Sequence, residues 1–569
     1  MDTIAYVADS LEQERTNCQG LEYWDIYIED ILSQLGVSAK RIEPPDLSNA
    51  ALAGVEILFL GRSGLSADAR SAIHEWVRDG GTLIGFLSDG LAETFGVEEV
   101  ATLPHGDLYK PSARLDFLAH PLDDGIHSPH HPDKPLLIFS ELKRVIPRSA
   151  VPLASFRETR SPAITLNYLG KGKAVYFAFS LPKTLWLIHQ GRPCTVDTEG
   201  DGHFRTGDMN ITRDDTDTAV LYADEFIFLL ERIVATCGLP MIEALPPSNG
   251  TVPQAVFFWG GDDEGAPELQ LKSSRWMKER SLPYHINVMW MNGRFALKPA
   301  EADEIRANGH EVSLHYNFWW ERLRHFTRQD LLQQAADFKR TFGFSQEVSV
   351  MHCIRWSGWT DTARWLAEAG NTGDNSFFPK RYPPMNPANS LGFAFGTAFP
   401  FFFRDDWRYG NARIPLVEVT INAYETGYSG DKTTPDLTCK VVDIALYYGL
   451  CMNMFYHPIC IMGSRSCQQA IDNALRFIAE SGTRVRHMGP DALVRWWIAR
   501  ESSAIVAKRD GKHVQVRVNA DHPDGLILKL PDGAIPAPHL PLQQLKRAGK
   551  RWNCVVLPHG ETELSYMTT

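Results

Sequence analysis

The sequence predicts an α/β protein. A distorted (β/α) barrel of about seven units fills its middle, with a flavodoxin-like open parallel sheet before it and a small β module after it. Three observations carry this expectation. Short apolar runs alternate with helical periodicity along most of the chain, the pattern of parallel strands covered by helices. A turn-rich connector, Leu245-Pro246-Pro247-Ser248-Asn249-Gly250, interrupts that alternation and marks a boundary. Beyond residue 500 the apolar period changes to two, as antiparallel strands require. The expected domains are 1–245, 246–500 and 501–569; a chain of 569 residues is too long for a single core.

In the first domain, Glu56-Ile57-Leu58-Phe59-Leu60 runs into Gly61 as a buried strand. Leu65, Ala69, Ala72, Ile73, Trp76 and Val77 follow at helical spacing behind a Ser66 cap, and Gly80-Gly81 ends the helix. Thr82 to Leu87 is the next strand, which completes a βαβ unit. Ala174 to Phe179 is a further strand, and residues 218–237 form a closing helix. The polar, glycine-punctuated stretch Asp201 to Asp208 is a candidate for a loop that reaches the neighbouring domain's site.

The middle domain opens on Val256-Phe257-Phe258-Trp259-Gly260-Gly261-Asp262-Asp263-Glu264-Gly265, a buried strand that empties into an acidic turn. Strands are then expected at Tyr284 to Trp290, His310 to His315, Val348 to Met351, Pro415 to Ile421 and Met452 to Tyr456. Helices are expected between them, the clearest running from a Thr327 cap to Phe342, with Gly343 after it. His315, His352 and His457 each close one of these strands, and Asp262 and Asp263 close the first. In a parallel barrel such ends converge on one face. A single histidine there is more often structural. Three beside an acidic pair are the carboxylate and imidazole set that holds a divalent transition metal with a position left for water. Adjacent carboxylates can also divide the work, one binding a cation and the other taking a proton.

On these motifs the stretch of roughly 250–500 resembles the NodB-like polysaccharide deacetylases. Gly260-Gly261-Asp262-Asp263-Glu264 stands for their T-F-D-D-G strand end, Gly309-His310-Glu311-Val312-Ser313-Leu314-His315 for G-H-E-I-G-N-H, and Tyr456-His457-Pro458 for the late His-Pro. The resemblance implies Asp262 as catalytic base, Asp263 and His315 as metal ligands and His457 as general acid. It also implies a divalent metal cofactor, with Zn2+ as the expected ion. Two departures stand out. The position of the family's second metal histidine holds Trp319, and its arginine-proline motif is replaced by Ser349 to Trp359. His352 is expected to supply the lost imidazole, with His325 as the other candidate, and Arg355 to orient or screen the carboxylates. Glu264 stands where the family has glycine. Trp356 and Trp359 are candidates, with Arg355, for substrate binding by stacking and charge; Trp407 and Tyr409 are weaker ones. Asp374-Asn375-Ser376 and Glu418 are further polar residues that could line the site, and Gly427 to Pro435 suits a lid or a plain loop.

The first domain's strand, its GRSGLS turn, helix and DGGTLIGF strand resemble the class I glutamine amidotransferase-like fold, in the variants that accompany sugar enzymes. Catalytic members carry a cysteine after that second strand. Here Ser88-Asp89-Gly90 follows, with no cysteine near, so this domain is expected to pack or bind and not to catalyse.

In the tail, Val514 to Val518, Leu526 to Leu530 and Asn553 to Leu557 are strand-like. Composition narrows the function classes. A net charge of −12 with no basic stripe argues against nucleic acid and anionic membranes. No apolar run is long enough to span a bilayer, and no leader pattern opens the chain, so a cytoplasmic protein is expected. Nine scattered cysteines without a C-x-x-C pair fit reduced thiols. The expected function is metal-dependent hydrolysis of a C–N bond, removing an acyl group from an N-acylated carbohydrate, with a small molecule or glycan as substrate and homo-oligomerisation left open. The alternatives are a metal-independent amide hydrolase of the same fold and a non-catalytic carbohydrate-binding protein.

Overall fold

The structure is a computed structural model and describes residues 3–127, 133–212, 220–318, 324–378, 391–393, 395–428, 434–538 and 540–568. It is a mixed α/β protein: most of its buried apolar side chains form one contiguous cluster that extends from Ile4 to Tyr566, and a smaller cluster gathers Val350, Ile354, Phe378, Ile421 and Phe455.

The first sheet has nine strands. Lys40–Ile42, Ile4–Val7, Ile57–Leu60, Thr82–Phe86 and Gly172–Phe177 lie side by side in parallel. Pro162–Leu169, Val151–Phe156, Ala113–Phe117 and Leu136–Ile138 continue the sheet in antiparallel pairs. The expected open parallel sheet is therefore only one half of it. The physical cause is the connection: Leu169 pairs with Gly172 across a two-residue turn, which can only join antiparallel strands. The helix Ala67–Asp79 starts as expected, with the Ser66 side chain accepting from the Ala69 amide.

The middle sheet has ten strands. Its order is Phe401–Arg404, Arg413–Glu418, Gly373–Asp374, Val348–Met351, Glu311–Tyr316, His285–Met289, Ala255–Asp262, Cys451–Phe455 and Ala423–Tyr424, with Val485–Met488 also beside Ala255–Asp262. Only the pair Phe401–Arg404 and Arg413–Glu418 is antiparallel. Among the described residues no strand pairing joins the two edges, so where a distorted barrel of about seven units is expected the sheet is open. The sheet nevertheless curls. Arg413–Glu418 lies beside one edge strand and Ala423–Tyr424 forms the other edge, yet the five steps from Glu418 to Ala423 reach at most about 18 Å. The C-terminal ends of the parallel strands are thereby drawn together.

The tail forms two four-stranded sheets. One includes Met241–Ile242, which precedes the connector and pairs with Leu526–Lys529. Leu245, Pro246 and Pro247 of the connector are buried. No helix among the described residues is long and apolar enough to cross a membrane.

Candidate metal centre

His315 lies in the strand Glu311–Tyr316 with Val350 as its neighbour in register. It is fully buried. Its Nδ1 lies 3.0 Å from the Val350 carbonyl oxygen, so Nδ1 carries the proton and donates. That leaves Nε2 as a bare lone pair, and among the described residues Nε2 has no hydrogen-bond partner. Burial pushes the imidazole down to about 3, so the ring is neutral. The 3.5 Å approach of Nε2 to Asp262 Oδ2 is therefore not an ion pair. A buried histidine locked at one nitrogen by a backbone carbonyl, with the other nitrogen unspent, has the form of a metal ligand.

Glu264 faces the same space. Its Oε2 lies 3.4 Å from His352 Nε2 and its Oε1 lies 3.1 Å from His457 Nε2. Glu264, His315 and His352 form one group whose ligand atoms all fall within 4.8 Å of one another, and Asp262, Glu264 and His457 form another. Glu264 has φ +49°, a left-handed backbone that non-glycine residues seldom adopt. This accounts for the residue that the sequence left unexplained: the turn needs the conformation a glycine supplies, and Glu264 adopts it while adding a carboxylate. Burial would raise that carboxyl, but hydrogen bonds from His352 and His457 outweigh it and hold it far below the usual carboxylate range.

His352 follows the strand Val348–Met351, and its Nδ1 lies 2.9 Å from Asn317 Oδ1. Burial opposes its charge, but the Cys353 thiol and Glu264 push it up to about 10. His457 caps the helix Pro458–Gly463. Its Nδ1 meets Glu425 Oε1 at 2.5 Å. Burial again opposes charge, and Glu425 with Glu264 overcomes it, raising His457 well above its ordinary value. Asp262 is buried and accepts from Asn287 Nδ2 at 3.0 Å; burial pushes it up to about 7. The arrangement can hold a cation on Glu264, His315 and His352, with one carboxylate and one protonated imidazole at its sides.

Asp263 departs from the expected ligand set. Its Oδ1 accepts from the Gly265 and Met289 amides at 2.9 and 2.8 Å, and its Oδ2 from Gln270 at 2.8 Å. It belongs to none of the converging donor groups. The reason is the turn: the strand ends at Asp262, and the left-handed backbone of Glu264 brings its carboxylate round to the side of Asp262, while Asp263 braces the turn from behind. Arg355, expected to orient or screen the carboxylates, has backbone carbonyls as partners among the described residues. It donates to the carbonyls of Phe204, Phe318 and Arg324. Trp356 is fully buried and packs on Phe377 and Phe403. Trp359 is buried, stacks on Trp186 at 6.0 Å and donates to the Gln190 carbonyl. Both tryptophans serve packing, the second between the first sheet's helices and the middle sheet. His325 stacks on Phe204 at 4.3 Å and lies outside the donor groups. Trp319 lies outside the described residues, as does most of the expected lid at 427–435.

Asp374 and Glu418 are neighbours in register and fully buried. Burial and the Asp374 charge raise Glu418 strongly, and the pair lies outside the donor groups. Ser88 donates to the Leu60 carbonyl at 2.9 Å and is spent structurally. The stretch Asp201 to Asp208 does reach the rim: Arg205 bridges Arg355 backbone to backbone. Sequence reasoning missed Glu425, Asn287 and Gln270. Glu425 carried a usable signal, since it follows the short strand Ala423–Tyr424 as Asp263 follows Asp262. Its φ of +43° marks a second strained acid at the rim.

No family model matches the sequence, and no curated protein matches it. Among solved structures, the Xyl-CE4 domain of a multidomain xylanase from the hindgut metagenome of Trinervitermes trinervoides overlaps 42% of this chain and 90% of its own, at 11% identity and a TM-score of 0.23. The β-galactosidase of Rahnella sp. R3 overlaps 31% of this chain at 15% identity and a TM-score of 0.24, and the chain spans only 28% of that enzyme's length. The cytoplasmic protein STM1381 of Salmonella typhimurium LT2 overlaps 28% of this chain and 76% of its own, at 18% identity and a TM-score of 0.22. Overlaps this low carry no argument about activity.

Proposed function

We propose that the protein is a metal-dependent hydrolase of an amide C–N bond, acting on an N-acylated carbohydrate. The observation that carries the proposal is the unspent Nε2 of fully buried His315, which shares its space with Glu264 and His352. The choice of substrate rests on the resemblance of the Asp262, His315 and His457-Pro458 motifs to the polysaccharide deacetylases.

Glu264, His315 and His352 would hold the cation, one carboxylate and two imidazoles that suit Zn2+ or a similar ion. When bound, such an ion supplies Lewis-acid polarisation of an acyl oxygen and lowers the pKa of a water. Asp262, with Asn287 fixing one oxygen, takes the proton of the attacking water; a carboxyl raised to about 7 is well matched to that task near neutral pH. His457, kept protonated by Glu425, gives its proton to the departing amine nitrogen. The Val350 carbonyl keeps His315 in the tautomer that presents Nε2.

Elemental analysis and a deacetylation assay test this. His315→Ala is expected to lose both metal and turnover, and Asp262→Asn to keep the metal while losing about 100-fold or more in rate. Full activity of His315→Ala would refute the metal role. One observation favours a second reading, a metal-independent hydrolase: Glu264 already lies between two imidazoles that carry positive charge. Activity that survives exhaustive chelation would select it.

A further inference from the structure

We propose that Arg205, contributed by the first third of the chain, is a positioning residue for His352. The proposal rests on the assignment of Glu264, His315 and His352 as metal ligands. His352 is displayed by a turn with unusual backbone: Cys353 has φ +55° and ψ +27°, and Ile354 has φ +51°. Two consecutive non-glycine residues in the left-handed region, one of them β-branched, persist only where surrounding contacts over-determine them.

Those contacts come from residues 194–206. Arg205 Nη1 donates to the Cys353 carbonyl at 2.7 Å, while its Nε lies 2.5 Å from Asp201 Oδ2. Arg205 also bridges Arg355 through the backbone, and Cys194 bridges Gly358. The Trp356 amide donates to the Phe204 carbonyl at 3.1 Å, and Arg355 Nε donates to the same oxygen at 3.1 Å. The loop making these contacts is itself locked. Asp208 accepts from the Thr198, Glu199 and Arg205 amides, and Asp197 accepts from the Gly200 and Gly202 amides. A rigid strap therefore grips the carbonyl one residue beyond His352. Without the guanidinium, the turn can relax toward ordinary backbone, and the imidazole moves with it.

The test is a Co2+ titration of the metal-stripped full chain, reading the dissociation constant and the visible ligand-field spectrum, with a thermal melt to confirm folding. Arg205→Met is expected to bind Co2+ about tenfold more weakly or worse, with a spectrum shifted toward that of His352→Ala. Arg205→Lys keeps a donor for the carbonyl and is expected to recover most of the affinity. Wild-type affinity and spectrum in Arg205→Met, with metal lost in His315→Ala, would overturn the role of Arg205 and leave the ligand assignment standing. A wild-type chain that takes up no Co2+ would overturn the ligand assignment and this inference with it.

Discussion

Glu243→Gln should destabilise the protein by about 3 kcal/mol, and two independent routes lead to that magnitude. Glu243 is fully buried. Both of its oxygens are engaged by Arg547, its Oε2 lies 3.2 Å from Lys529 Nζ, and its Oε1 accepts from the Ala244 amide at 2.8 Å. Glu231 completes a buried set of four charges that ties the helix Asp224–Ala235 to the C-terminal sheets. Neutralising one member of a buried ion network costs about 3–5 kcal/mol, because the partner charges stay desolvated. The electrostatic shift of its carboxyl gives the second route. Burial alone would raise this carboxyl, but Arg547 and Lys529 outweigh it and bring it down to about 2. Against about 4.3 in an unfolded chain, that difference is worth about 3 kcal/mol at 1.36 kcal/mol per unit. The sign follows from the depression: the stabilisation is fully present above pH about 4.3 and is lost as pH falls toward 2. Urea unfolding followed by tryptophan fluorescence would measure it. Wild type should exceed Glu243→Gln by about 3 kcal/mol at pH 7, and the gap should close between pH 4.3 and 2. A gap below about 1 kcal/mol at pH 7, or one that does not change with pH, would refute the reasoning.

Three further outcomes are expected. Glu264→Ala should lose bound metal while Asp263→Ala keeps its stoichiometry, measured by elemental analysis; the reverse would restore the aspartate as ligand. Glu425→Gln should lower kcat and move the alkaline limb of the pH–rate profile to lower pH, because His457 loses the charge that holds its proton; an unmoved limb would remove Glu425 from the mechanism. Trp359→Ala should cost about 3–5 kcal/mol in urea unfolding and leave KM unchanged, since the ring packs on Trp186; a raised KM with intact stability would return it to substrate binding.

Much of the local structure was legible in the sequence. The helix Arg328–Phe342 starts at Thr327, which accepts from the Asp330 amide, and stops at Gly343 with φ +79°, as cap chemistry requires. The strand ends that carry Asp262, His315, His352 and His457 also fall where the apolar runs stop. Two expected binding residues have other partners in the structure, for one reason. Arg355 and Trp359 looked like ligand-binding residues because a guanidinium and an indole near a rim suit a sugar. Their actual partners, the Phe204 carbonyl and Trp186, lie about 150 or more positions away in the chain, beyond any local pattern.

What the sequence determined by itself is the set of groups available at one end of the middle sheet, because periodicity and caps are local and place side chains within a few residues. What only the tertiary structure decided is which of those groups meet. Asp262 and Glu264 share a side and Asp263 does not, because Glu264 takes a left-handed backbone after the strand ends. Glu425 reaches His457 because the chain crosses from near one edge of the sheet to the other within five residues. His352 reaches Glu264 from a turn gripped by a distant loop. Each of these depends on contacts between segments far apart in the chain, whose geometry exists only once the sheet has curled.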